Sequence, residues 1–256
     1  MATQVQEIAK VAMALPSEKS KKNTDFKNQK IGMIGSPGIG KSEFFAQDDK
    51  ALFIEAEAGL NHLEVMKIPA RSWQDLRDIY GLLLQANLSG KFPYSIVILD
   101  TIDRIVDFAD DEIIARAREF YKTIVDQIHT VGDIPNGAGW AKSTNLVMSF
   151  LNKLDELPCA IAFIGHLATK KITEGTRQYD KNTINMGGKT GLELLAWCDH
   201  VLHVESTMMG DKQIRRVITR PSQSKEAKSR GAMVPDNWMW VPDMKVNYDT
   251  FRKLFV

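Results

Sequence analysis

Apolar and polar residues follow two alternating periods along this chain. Ile31, Met33 and Ile34 form a short apolar run, and Leu52-Phe53-Ile54 form a second that ends at Glu55-Ala56-Glu57. Ser95-Ile96-Val97-Ile98-Leu99-Asp100 and Ala160-Ile161-Ala162-Phe163-Ile164 are longer and unbroken. Such runs predict strands buried on both faces, the habit of a parallel sheet. Between them the spacing becomes helical. Glu43-Phe44-Phe45-Ala46-Gln47 starts one helix, and Ser72-Trp73-Gln74-Asp75 resembles a capping box ahead of Leu76, Ile79 and Leu83 on one face. Ser89-Gly90-Lys91-Phe92-Pro93 ends that helix, and further helices are predicted over 104–129 and 144–157. From residue 201 the connections shorten, predicting strands at 201–204, 214–219 and 238–241 and a small edge element or helix at 248–255. At the other end, Val5, Ile8, Val11 and Met13 suggest a short helix over 5–15, and 16–29 reads as a polar, lysine-rich linker. The expectation is an N-terminal helix and linker over 1–29, then one α/β core over 30–256. Its sheet is mostly parallel, flanked by helices, with an antiparallel extension at the C-terminal side.

Composition narrows the class without naming it. The chain has 256 residues, 44% of them hydrophobic and 25% charged, as in ordinary globular proteins. A net charge of +1 gives no global field toward nucleic acid, so any such contact must come from local clusters. Two cysteines exclude a disulfide framework and fit a reducing cytoplasm. Neither a secretory signal nor a run long enough to span a bilayer is evident, so the expected setting is cytoplasmic, with no membrane partner.

The densest chemistry lies in Gly35-Ser36-Pro37-Gly38-Ile39-Gly40-Lys41-Ser42, which reads G-x-x-x-x-G-K-S between an expected strand and an expected helix. Glycines let several backbone N–H groups converge on one phosphate, and the helix N-terminus adds partial positive charge. Lys41 then reaches the β- and γ-phosphates of a nucleoside triphosphate, and the Ser42 hydroxyl binds Mg²⁺. Asp100 ends a strand after four apolar residues, where a carboxylate supports that Mg²⁺; a helix N-cap is its competing role. Glu57, at the end of the second strand, is placed to act as general base on the attacking water. Glu55 competes with it, because alternation puts both on one face.

These segments resemble the RecA family of P-loop ATPases over roughly 30–234. Phe53-Ile54-Glu55-Ala56-Glu57 followed by Ala58-Gly59-Leu60 resembles the family's second-strand segment, whose last glutamate activates water, and that match implies Glu57. Val97-Ile98-Leu99-Asp100-Thr101 resembles its Walker B strand. Phe163-Ile164-Gly165-His166 resembles its fourth strand, where a polar residue, usually glutamine, senses the γ-phosphate and relays to the DNA loops; here that residue is His166. The compact length is similar to phage-encoded RecA-like recombinases and single-strand annealing proteins of the Sak group, and to KaiC. The resemblance implies ATP and Mg²⁺ as ligands, DNA-stimulated hydrolysis, and a ring or filament of identical subunits acting on single-stranded DNA in recombination or annealing. A single-strand DNA-binding protein is a further implied partner. The other reading is a nucleotide-gated protein-interaction module, or a KaiC-like or helicase-like ATPase without recombinase activity.

Two polar segments fall where that family places its DNA-binding loops. Residues 129–142 carry Gly132, Gly137, Gly139, Trp140 and Lys142; residues 167–188 carry Lys170, Lys171, Arg177 and Lys181 against Glu174 and Asp180. Cations there would follow phosphates, and Trp140 or Tyr179 would stack on bases. Both segments are expected to be structureless loops. Lys228-Ser229-Arg230-Gly231 resembles the K-x-R element that related proteins insert into a neighbour's active site, which implies ATP bound at subunit interfaces. Two other patterns are set aside. Asn152-Lys153-Leu154-Asp155 matches a guanine-reading motif but lies inside an amphipathic helix. His200 and His203 face opposite sides of a strand, which argues against a shared zinc ion.

Overall fold

The first apolar run forms β1 (Lys30–Gly35), and the glycine-rich turn leads straight into α1 (Lys41–Phe45). There follow β2 (Ala51–Glu55), β3 (Met66–Pro69), α2 (Trp73–Leu88), β4 (Ile96–Asp100), α3 (Ile102–Phe120), α4 (Ala138–Leu154), β5 (Ala160–Glu174), β6 (Arg177–Ile184) and α5 (Gly188–Trp197). The C-terminal part adds β7 (His200–Met209), β8 (Lys212–Ile218), β9 (Lys228–Ser229), β10 (Asn237–Met239) and α6 (Met244–Arg252). The structure, a computed structural model, describes residues 15, 17–20, 22, 24–230 and 234–255. The expected helix over 5–15 lies outside them except for Leu15, as does Gly231 of the K-x-R segment.

The sheet runs in the order β10-β8-β7-β1-β5-β4-β2-β3. From β7 through to β3 every neighbouring pair is parallel, whereas β8 and β10 join antiparallel beyond β7. The result is a mostly parallel α/β sheet flanked by helices, with the antiparallel extension on the C-terminal side. Alternation explains the unbroken apolar runs. In β4, Val97 and Leu99 pack with α2 to α5, whereas Ile96 and Ile98 pack on the other face with Phe44, Phe45, Tyr248 and Phe251 of α1 and α6. Each strand therefore serves two cores, and each buried aliphatic side chain contributes roughly 1.5–3 kcal/mol. The packed body takes in Phe26, which sits edge-on to Phe251 and Phe255.

Several elements depart from the sequence expectation, each for a visible reason. The helix expected over 104–129 stops at Phe120, because Tyr121 leaves the helical region at φ −98° and ψ 60°. The chain then folds back, burying Ile128, Val131 and Ile134 against Ile113 and Ala117, and Arg118 Nε donates to the Ile128 carbonyl at 2.8 Å. The expected loop over 129–142 is thus two 3₁₀ turns and the first turn of α4, which begins six residues early. Gly139 makes that packing possible: a Cβ there would lie 2.0 Å from the Val131 carbonyl oxygen. The expected loop over 167–188 is a hairpin, since β5 continues to Glu174 and pairs antiparallel with β6. Its outer part is polar on both faces and gave no alternation to read. Strand β2 stops at Glu55 rather than at Glu57, and β7 extends to Met209. The C-terminal element is a helix, α6, started by Asp243, whose side chain accepts from the Lys245 amide at 2.9 Å. Strands β3, β6 and β9 and helix α5 were not anticipated.

Candidate active site

The parallel strands β1, β2, β4 and β5 deliver their C-terminal ends to one edge of the sheet, where open α/β sheets bind ligands. A cavity of about 260 Å³ opens there, lined by Pro37, Gly38, Gly40, Lys41 and Ser42 from the turn, by Glu57 and Asp100, and by His166. Gly40 stands at φ 99°, a left-handed conformation that places its carbonyl to accept the first helical bond of α1, from Phe44. Gly35 and Ser36 contribute differently: their carbonyls accept from Lys41 Nζ at 2.8 and 2.9 Å. Ile39 turns inward to the core.

Lys41 is buried, and burial pushes its pKa down to about 8 against the pull of Asp100, Asp103 and Glu57. A cation this poorly solvated, next to an open cavity, gains strongly from an anionic phosphate. Ser42 Oγ donates to Asp100 Oδ2 at 2.7 Å, so these two oxygens are already in contact. Burial raises the Asp100 carboxyl above its ordinary value, opposed by the Ser42 hydrogen bond and by Lys41. Hard oxygen donors, one hydroxyl and one carboxylate, fit Mg²⁺.

The two competing glutamates separate cleanly. Glu55 is 6% exposed and committed to structure. Its Oε1 accepts from Lys67 Nζ at 3.0 Å and from the Leu60 amide at 3.4 Å, while Arg71 lies 3.8 Å from Oε2. Burial opposes ionisation there, but Lys67 and the amides outweigh it and hold the carboxyl below its ordinary value. Glu57 lies two residues past the strand, on the cavity wall, where its Oε2 accepts from Thr101 Oγ1 at 3.3 Å. Periodicity gave both one face; the end of β2 at Glu55 lets the chain turn and separates them.

His166 sits where β5 changes partners. It is the last residue of β5 in register with β1, opposite Gly35, and its neighbour Leu167 is the first paired with β6. Three contributors to this region were missed in the sequence: Thr101 and His62 on the cavity wall, and Asp103 behind His166. Asp103 carries the signal of an acidic residue in the first turn of the helix that follows β4.

The expected DNA-contact residues stand on separate elements. Trp140 and Lys142 lie exposed in the first turns of α4. Lys170, Lys171, Arg177 and Lys181 lie on the β5–β6 hairpin. Lys170 donates to the Met186 carbonyl and Lys181 pairs with Glu226 at 2.8 Å, whereas Lys171 and Arg177 are exposed. Lys228 and Arg230 are not at the cavity of their own chain. Lys228 Nζ donates to the carbonyls of Leu195 and Ala196 at 3.0 and 2.7 Å. Arg230 donates to Asp199 Oδ1 at 2.8 Å and to the Ala196 carbonyl at 3.1 Å, so both cations cover the C-terminal end of α5. His200 bonds Ser229 and Gln29, and His203 bonds the Glu226 carbonyl. The N-K-x-D match lies within α4 and its C-cap, with Asn152 accepting from Trp197 at 3.1 Å.

A family model described as an AAA domain matches residues 27–231. Among solved structures, a KaiC-like protein from the hyperthermophilic archaeon Pyrococcus horikoshii OT3 is similar at a TM-score of 0.48 and 12% identity, covering 86% of this chain and 88% of that one. The flagellar accessory protein FlaH from Methanocaldococcus jannaschii is similar at 0.42 and 9%, covering 76% and 78%. Neither likeness is close enough to bear on function. No curated protein matches the sequence.

Proposed function

The chain belongs to the AAA domain family, with a RecA-like P-loop ATPase core, and from that premise we propose that it binds and hydrolyses ATP and acts on single-stranded DNA in recombination or annealing. One observation carries the hydrolytic part: a single cavity gathers the P-loop lysine, the Ser42–Asp100 oxygen pair and the Glu57 carboxyl. Ser42 and Asp100 would hold Mg²⁺, which would supply charge neutralisation at the phosphates. Lys41 exchanges its two carbonyl partners for phosphate oxygens, and the backbone N–H groups around Gly38 and Gly40 hold the remainder. Glu57, two residues beyond β2, orients a water and takes its proton. His166 reads the far side of the phosphates.

Single-stranded DNA is the proposed activator because the β5–β6 hairpin, with Lys171 and Arg177 exposed, grows directly out of His166. Trp140 and Lys142 supply a second contact, with base stacking on the indole. In this reading identical subunits assemble as a ring or filament, with ATP at their interfaces. Lys228 and Arg230 then leave the α5 carbonyls to reach a neighbour's phosphates. A single-strand DNA-binding protein is the further proposed partner. No helix among the described residues is long and apolar enough to cross a membrane.

The test is phosphate release with and without single-stranded DNA at low salt, across protein concentrations. Expected are Mg²⁺-dependent ATP hydrolysis, a several-fold rise with DNA, and a specific rate that climbs with concentration and is lost in Arg230→Ala. Hydrolysis without any DNA binding would remove the recombination part, and full hydrolysis by Arg230→Ala would remove the interfacial cation.

A further inference from the structure

We infer that Asp103 is a positioning residue for His166, so that an aspartate–histidine pair does at this site what a single neutral side chain does elsewhere. This deepens the ATPase reading and rests on it. Asp103 lies in the first turn of α3, three residues after the metal-supporting Asp100. Its Oδ2 accepts the backbone N–H of His166 at 3.2 Å and lies 3.5 Å from the ring Nδ1 of the same residue. One carboxylate oxygen therefore holds the backbone and lies beside the ring of the residue that lines the cavity. The other oxygen, Oδ1, is buried with no hydrogen-bond partner, so the group is not held there by a wider network. Asp103 does not line the cavity, but His166 does. The aspartate acts through the imidazole.

The arrangement has a chemical consequence. A glutamine amide always has an N–H to offer a phosphate oxygen, but a histidine has one only if the correct ring nitrogen carries the proton. A carboxylate oxygen beside Nδ1 favours the tautomer with the proton on that nitrogen and so sets which ring nitrogen donates and which accepts. The ring's orientation also matters beyond the cavity. His166 ends the pairing with Gly35, and its carbonyl accepts from the Asn185 amide at 2.8 Å, at the root of the β5–β6 hairpin. Asp103 thus ties three things together: the first turn after the metal-supporting strand, the residue facing the phosphates, and the base of the hairpin.

The test is a double-mutant cycle in the full chain with Asp103→Asn and His166→Gln. Asparagine keeps the size and can still accept the backbone N–H, so it removes only the charge beside the ring. Asp103→Asn is expected to lower kcat about tenfold, the scale of one charge-assisted hydrogen bond, with KM changed less than about twofold. In the His166→Gln background the same substitution is expected to change kcat less than about twofold. A second readout needs no turnover. The ¹⁵N shifts of the His166 ring, identified by their loss in His166→Gln, should show a protonated Nδ1 in the nucleotide-free wild type and a shift toward Nε2–H in Asp103→Asn. If the two losses multiply, if KM rises instead of kcat falling, or if the ring shifts ignore Asp103→Asn, the positioning role is overturned and the ATPase reading stands. If the wild type hydrolyses no ATP, both fall.

Discussion

The cavity at the strand ends and the hairpin that rises beside it are built on opposite principles. In the cavity, Lys41, Asp100 and the neighbouring Glu55 are each less than a tenth exposed, and their positions follow from strands packed on both faces. In the hairpin, the outer residues are polar and largely exposed, and position follows from cross-strand register alone, with Lys171 opposite Asp180 and Glu174 opposite Arg177. The two meet at one residue, His166. The difference teaches where each kind of change is tolerated. A charge altered in the cavity meets a lower dielectric, so its effect is large and local. A charge altered on the hairpin is solvated and leaves the fold unchanged, but alters what the surface attracts.

The sharpest way to break this contrast is to exchange the fates of the two glutamates. Glu57→Gln is expected to cut hydrolysis by about a hundredfold or more while leaving nucleotide binding within a few-fold, measured by phosphate release and by fluorescent-nucleotide titration. Glu55→Gln should keep most of kcat and instead lower stability by about 1–3 kcal/mol in urea unfolding, because the buried Glu55 carboxyl loses the charge that its bonds from Lys67 and the Leu60 amide reward. If Glu55→Gln abolishes turnover at unchanged stability, the assignment of the two acids is reversed.

A smaller effect belongs to the hairpin. Lys171→Glu with Arg177→Glu should weaken single-stranded DNA binding by about tenfold or more and flatten its salt dependence by roughly 0.7 per lost phosphate contact. Hydrolysis without DNA should stay within about twofold. A double variant with unchanged DNA affinity would show that this surface serves another purpose.

The smallest effect is a pH trend in stability. Burial lowers the Lys41 pKa to about 8, from 10.5 for an ordinary lysine. Between these values the unfolded chain binds more protons than the folded one, so stability without nucleotide rises with pH from about 8 upward. Below about pH 8 both states hold the proton and this contribution is flat. Thermal melts of the wild type minus those of Lys41→Met isolate it, and nucleotide should erase it by giving the ammonium a charged partner. A difference curve without slope from pH 8 to 10 would show that Lys41 is better solvated than its surroundings imply.

Much of the site was legible before folding because its motifs are local. Gly35 to Ser42 needs only a strand before it and a helix after it, and Asp100 is marked by the four apolar residues ahead of it. The apolar runs of β1, β4 and β5 were clear for the same reason: burial on both faces leaves no polar position to interrupt them. The segments over 129–142 and 167–188 were read as loops because their order depends on contacts far along the chain. Val131 is buried only because Gly139 lets the turn approach α4, and β6 exists only because β5 extends past its apolar part. Lys228 and Arg230 show the same limit. Their resemblance to a K-x-R element implies a role at phosphate, but the fold brings them to the carbonyl end of α5.

By itself, then, the sequence determined the alternation of strands and helices, the phosphate-binding turn and its two oxygen donors, since each is set by neighbours a few residues away. The tertiary structure alone decided which glutamate faces the cavity, which aspartate stands behind His166 and which cations are already engaged. Those outcomes depend on where a strand stops and which distant backbone groups come within about 3 Å, the range at which hydrogen bonds and desolvation act.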